Sequence, residues 1–213
     1  SIVIPKSVTS ISNTSFYGCS NITSISVDEK NPVYDSKNNC NAIIVTEKKN
    51  LLLGCATTKM PDDLTSIGAY AFYKCVGITR LTIPSSVTAI GMDAFAGCSK
   101  LESIVMPDNL TNIGSYAFYN CGEIARLTIP SSGVEIGDLA FAGCSKLESI
   151  VASKELPKLG NGTFSGCVAL KELYYYGTGN EYRTQRFVKK WKDKENPSYK
   201  YLCNLEIYAW YDG

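Results

Sequence analysis

The chain of 213 residues contains no histidine. That removes the commonest general base at neutral pH and the commonest metal ligand together. An excess of charge is missing too. With 21 Lys and Arg against 20 Asp and Glu, the net charge is +1, and no global field draws the molecule toward nucleic acid or an anionic membrane. No apolar run reaches the roughly 18 residues that a membrane span requires, so insertion into a membrane is not expected. No basic stretch followed by an apolar one opens the chain as a secretory leader would. A Gly-rich phosphate loop and a nucleophile motif are also lacking, and no pair of carboxylates recurs in a pocket-like context. An enzyme, a cofactor and a metal are therefore not expected.

What the chain does have is cysteine, nine in all, and most of it is periodic. Cys75, Cys98, Cys121, Cys144 and Cys167 follow one another at intervals of 23 residues. Three positions before each stands Phe72, Phe95, Phe118, Phe141 or Phe164. The same lattice carries Ile67, Ile90, Ile113, Ile136 and Leu159, each followed by glycine. It also carries the pairs Leu81/Ile83, Ile104/Met106 and Leu127/Ile129, each closed by a proline. A fixed period in the range of about 20–29 residues with an L-x-x-L-x-L core is the signature of a leucine-rich repeat solenoid.

Residues 1–176 divide accordingly. Ser1 to Asn21 is a repeat missing its first positions, and Ile22 to Gly54 is an expanded repeat of 33 residues. Its irregular part, 28–54, contains a hairpin insertion. Regular repeats start at Cys55, Ile78, Leu101, Ile124 and Leu147, and a last strand starts at Leu170. Segments such as ITRLTIP read as strands with Leu81 and Ile83 pointing inward, ended by a proline that cannot donate to the next ladder bond. The V-T-x-I-G piece reads as a second short strand or extended turn, and the stretch to A-F-x-x-C as a single helical turn. Parallel strands about 4.8 Å apart would set each Phe over the next, close enough for offset stacking. Ser12 stands where other repeats have glycine, so that position need not demand a positive φ. Gly133 replaces an apolar residue, so a local slip is expected, with Val134 partly taking over the pocket.

Twelve residues, AFAGCSKLESIV, occur without change at 94–105 and 140–151, 46 residues or two periods apart. RLTIPSS and IG-x-YAFY recur at the same distance. The duplicated unit is therefore a pair of repeats.

LTIPSSVTAIGMDAFAGCSKL (81–101) closely resembles the BspA-like leucine-rich repeat family, and the resemblance covers about four-fifths of the chain. It implies a bacterial surface or secreted protein whose role is adhesion to host matrix proteins or other cells. The family has no catalytic motif and no fixed ligand site to carry over. Irregular coils with a hairpin are also a family trait, and NAIIVTEKKNLLLG fits one, as two apolar strands around a charged turn.

Cys19 shares its lattice position with five other cysteines. In-register side chains point in parallel, so disulfides between neighbours are disfavoured, and a straight row cannot converge on zinc. These six read as small buried thiols packed as hydrophobes. For Cys40 and Cys55, which flank the hairpin strands, a bridge and two separate thiols both fit. Cys203 has no obvious partner.

From 177 to 213 the composition shifts to aromatic and basic, with Tyr182, Phe187, Val188 and Trp191 on one helical face and YKYLCNLEIYAW of strand character. This segment reads as an α/β cap over the open solenoid end, the alternative being a basic, aromatic patch. Ser1 falls inside a repeat, so the chain is expected to be a piece of a longer protein. The expected fold is thus a mostly β solenoid of parallel strands and short helical turns, plus a C-terminal cap.

Strand residues between the inward positions form two rows on the open sheet face. One is Ser24, Thr57, Arg80, Ser103, Arg126, Ser149 and Glu172; the other is Ser26, Lys59, Thr82, Val105, Thr128, Val151 and Tyr174. Such faces are the usual binding surface of solenoids, and Arg and Tyr are enriched at interface hot spots. The candidate ligand-binding residues are Arg80, Thr82, Val105, Arg126, Thr128 and Tyr174. The expectation is a monomeric, non-catalytic module at the cell surface or secreted. Its partner would be a protein or glycan of a host or neighbouring cell, with no nucleic acid involved. The alternative is a structural spacer.

Overall fold

The computed structural model describes residues 1–130, 132, 134–153, 157–177 and 206–211. The chain winds as a solenoid whose coils are joined along three rails. Short apolar-alternating segments form the first rail, all in parallel. β1 (Ile2–Ile4) pairs with β2 (Ile25–Val27), and β7 (Arg80–Thr82) with β9 (Ser103–Val105). β11 (Arg126–Ile129), β13 (Ser149–Ser153), β15 (Glu172–Gly177) and β16 (Glu206–Tyr211) form one sheet in that order. Register follows the 23-residue lattice, Arg126 opposite Ser149 and Ser149 opposite Glu172.

The second rail is the V-T-x-I segment, which is a true strand. β6 (Ser66–Ile67), β8 (Ala89–Ile90), β10 (Asn112–Ile113), β12 (Glu135–Ile136) and β14 (Lys158–Leu159) run parallel, each a coil after the last. The hairpin extends this sheet: β4 (Ile43–Val45) and β5 (Asn50–Leu53) pair antiparallel, β5 joins β6 in parallel, and β3 (Tyr34–Asp35) adds beyond β4.

The third rail corrects an expectation, because the A-F-x-x-C segment is not a helical turn. Among the described residues the only helix is a 3-10 turn at Lys37–Asn39. Tyr70, Phe72 and Lys74 donate their backbone N–H to Met92, Ala94 and Ala96 of the next coil at 3.0, 2.7 and 2.7 Å. Ala71, Tyr73 and Cys75 between them donate to the residue three back in their own coil. A helix would use every N–H within itself; here half bind coil to coil. The alternation needs left-handed residues, and two recur per coil: Tyr70, Asp93, Tyr116 and Leu139 at φ 62, 54, 59 and 55°, then Lys74, Gly97, Asn120 and Gly143 at 54, 74, 57 and 76°. Two reversals of sign within five residues exclude a helix.

Between the rails the side chains stack in columns. Phe72, Phe95, Phe118, Phe141 and Phe164 lie at successive centroid distances of 5.0, 5.2, 5.1 and 5.9 Å with their rings nearly parallel, the offset geometry aromatic rings prefer. Leu101, Leu127, Leu147 and Ile150 are sealed in the same core. The hairpin divides that core: Ile44 and Leu51 face the main column, while Ile43, Leu52 and Leu53 join Ile4, Ile25 and Tyr34 in a smaller cluster.

Two local expectations resolve physically. Val134 is fully buried, as Val87 and Leu110 are, although it occupies the lattice position where Thr88 and Thr111 are exposed. It takes over the pocket completely. The glycine after each lattice isoleucine does not adopt a positive φ; it makes room. A Cβ on Gly91, Gly114 or Gly137 would lie 2.5–2.6 Å from a backbone nitrogen of the preceding coil. Ser12 is exposed in the first coil, and a side chain fits there.

Two substitutions test the stacking. Phe118→Ala should cost about 3–5 kcal/mol, since neighbours held on three rails cannot collapse into the void. Gly114→Ala should cost about 1–3 kcal/mol through overpacking against the Met92 backbone. Denaturant titration reads both, and near-wild-type midpoints would contradict this account of the columns.

Candidate functional site

Outward positions on the first rail alternate cleanly with buried ones. Arg80, Thr82, Val105, Arg126 and Thr128 are exposed, while Leu81, Ile83, Ile104, Leu127 and Ile129 between them are buried. Register puts Arg80 opposite Ser103 and Thr82 opposite Val105, and β9 lies beside β11. Five of the six candidate residues therefore share one patch of three adjacent strands. Val105, at 60% exposure, is its apolar centre. Neither Arg80 nor Arg126 takes part in an ion pair among the described residues.

Tyr174 stands apart from that patch. It is two strands beyond Thr128, across Val151, and half-buried, with its hydroxyl donating to the Glu172 carboxylate at 3.0 Å. Ser149, in the same rows, is buried. Toward the other end, Thr57 and Lys59 do not continue the rows. The Cys55 N–H donates to Thr58 Oγ1, which itself donates to the Asn41 carbonyl, and these side-chain bonds replace a strand ladder with a turn.

Where the rows break, the face opens into a hollow of about 860 Å³. Ser26 of β2 and Ser24 just before it line it from the sheet, and Asp28, Asp35, Lys37 and Asn41 from the insertion. Asn41 is the clamp. Its Oδ1 accepts from the Ile25 N–H, and its Nδ2 donates to the Thr23 carbonyl. Sequence reasoning missed this hollow, although DEKNPVYDSKNN was recognisable as a surface turn. The signal was the run of asparagines that take left-handed φ, Asn38, Asn39 and Asn41.

The cysteine column is not a reactive site. Cys98, Cys121, Cys144 and Cys167 are buried, and each thiol donates to the carbonyl of the phenylalanine 26 residues earlier, at 3.2–3.5 Å. Burial pushes Cys75 up to about 11 and Cys121 up to about 12, and it raises Cys98 further. A thiol so displaced holds almost no thiolate at neutral pH. Cys40 and Cys55 are free thiols, so the bridge left open by their spacing is not formed. Cys19 departs from the expected pattern: it is exposed, in the first coil. Cys203 and the face of Tyr182, Phe187, Val188 and Trp191 lie outside the described residues.

Brief alkylation of the native chain with iodoacetamide, read by peptide mass spectrometry, should therefore label Cys19 well before Cys98, Cys121, Cys144 and Cys167. Equal labelling would show that the column opens in solution.

Comparison with known proteins follows the same geometry. A family profile described as the BspA type leucine rich repeat region matches in six copies, over residues 1–45 and 65–190. A leucine rich cell surface protein of Faecalibacterium prausnitzii has a similar structure, with a TM-score of 0.75 at 26% identity, over 86% of this chain and 49% of that one. A leucine-rich repeat protein of Eubacterium ventriosum gives 0.67 at 29% identity, over 80% and 47%. The pneumococcal vaccine antigen PcpA, at 24% identity, shares the fold with a TM-score of 0.71, over 84% and 45%. The chain spans about half the length of these three structures. No curated protein matches it significantly.

Proposed function

We propose, for a chain that belongs to the BspA-type leucine-rich repeat family, the role of a non-catalytic binding module of a surface or secreted bacterial protein. In this reading its first-rail face meets a protein of a host or neighbouring cell. The observation that carries it is the patch of Arg80, Thr82, Val105, Arg126 and Thr128: two guanidiniums with no ion pair among the described residues, around an exposed apolar centre, on a backbone held rigid by hydrogen bonds. Rigid presentation matters because ordering flexible segments on binding costs affinity. Arg is suited to the task, with five donors in a fixed fork and a guanidinium more weakly hydrated than an ammonium. A structure similar to a cell surface protein supports the compartment. The hollow beside β2 continues the face, and a projecting loop of the partner can enter it.

The test is a screen of the purified chain against matrix proteins and intact cells, followed by an Arg80→Ala/Arg126→Ala variant. Loss of both guanidiniums should weaken a genuine hit at least tenfold, since truncation at a hot spot costs about 2 kcal/mol or more. Binding unchanged by the double variant would move the site elsewhere. No binding at high protein density would favour a spacer role.

A further inference from the structure

The third rail carries a feature that the protein-binding reading does not use. Its interior repeats every coil, but its exterior repeats every second coil. Where one coil carries Tyr73 and Lys74, the next carries the buried Ala96 and the half-buried Gly97, and the one after carries Tyr119 and Asn120. Between the two tyrosine-bearing coils lies a trough of about 380 Å³, its floor at Gly97 overlain by the Lys74 stem. That volume lies at the low end of the roughly 300–1,000 Å³ typical of small-ligand pockets. Tyr116 and Asp93 also line it.

Its walls are ordered aromatic rings. Tyr73 stacks on Tyr17 at 4.4 Å between centroids, and their hydroxyls are hydrogen-bonded to each other at 2.8 Å. Tyr116 and Tyr119 meet edge to face at 5.7 Å, and both are exposed. Exposed, mutually braced tyrosines offer π-faces to solvent at little further ordering cost. The polar groups stand at the surface. The Asp93 carboxylate forms no hydrogen bond or ion pair among the described residues, and burial raises its pKa. No side-chain hydrogen bond of Asn120 is found among them either. The Lys74 ammonium sits 5.4 Å from the centre of the Tyr73 ring.

We propose that this trough binds a neutral sugar ring, one pyranose unit of a glycan. A pyranose has an apolar C–H face that packs on a tyrosine, and hydroxyls that both donate and accept. Asp93 accepts from them and Lys74 donates, while the Asn120 carboxamide leans the other way, over Gly143 of the next coil. The rival chemistries fit less well. A proline-rich peptide packs on tyrosines but offers mainly carbonyl acceptors at its prolines, leaving the Asp93 carboxylate unpaired. A quaternary ammonium suits an aromatic cage, but Lys74 puts a like charge in the same trough. One cation and one carboxylate select a ligand without net charge.

The site lies on the third rail, away from the Arg80 and Arg126 patch, and does not depend on the role proposed for that patch. The test is a glycan array probed with the labelled full chain, followed by titration of the best neutral oligosaccharide. Tyr119→Ala should weaken binding at least fivefold and Asp93→Asn about tenfold, the latter by loss of bonds to a charged acceptor. Both positions are outside the sealed core, and asparagine tolerates the left-handed φ of residue 93, so unchanged thermal midpoints confirm folding. Arg80→Ala/Arg126→Ala should leave the glycan titration unchanged. An array with no neutral binder overturns the proposal, as does glycan binding indifferent to both trough variants or lost in the arginine variant. Binding of a proline-rich peptide or choline at the trough in place of sugar overturns it equally.

Discussion

Everything in this molecule depends on coils held at one backbone hydrogen bond's distance along three separate rails. A single ladder would let each coil pivot about it; three ladders fix both the spacing and the rotation of each coil on the next. Once those are fixed, identical residues must lie over one another, and each column takes the residue its surroundings allow. Phenylalanine stacks on itself with an offset. Glycine follows the lattice isoleucine because the preceding coil's backbone occupies the space of a Cβ. Cysteine is small enough for a sealed position and carries a hydrogen that reaches the phenylalanine carbonyl one coil back. It is a weak donor, but a hydroxyl in its place would be costlier to desolvate.

The third rail explains how one scaffold separates interior from exterior. Alternate N–H groups point to the next coil and back into the same coil, so left-handed residues recur at two places per turn. Their side chains face outward, free of the column's demands. Duplication of a pair of coils then leaves a two-coil texture on the surface over a one-coil texture inside. The tyrosines and the small residues between them belong to that outer texture. So do Arg80 and Arg126, which recur at the same distance on the first rail.

The hairpin interrupts the regularity of the solenoid. Its strands pair antiparallel with each other and join the second rail through β5, and the first rail loses a strand where Thr57 and Lys59 would have continued it. The core is divided at the same point, with the two faces of the hairpin buried in different clusters. The space left beside β2 is the large polar hollow, walled by asparagines that hold the irregular backbone through their side chains. An interruption in a repeat architecture therefore creates concavity, which regular coils supply only as shallow surface.

The sequence by itself determined the solenoid, the 23-residue register of its regular coils, the first parallel strand rail, the hairpin and the buried columns, and it left the second rail open between a strand and an extended turn. Each follows from local periodicity: residues 23 apart share an environment, and alternation within a strand separates inside from outside. Val134 was readable as the residue that rescues the pocket beside Gly133, because only an apolar neighbour could fill it. Tertiary structure alone decided the rest. The A-F-x-x-C turn looked helical because its apolar spacing suits a helix, and only the acceptors of the next coil draw half its N–H groups outward. Cys19 shares the letter pattern of the buried thiols but is exposed in the first coil. The hollow at Ser24 and Ser26, and the trough over Ala96 and Gly97, were beyond a linear reading. A cavity is made by what is missing between coils, and absence in space leaves no mark along a chain until the coils are stacked.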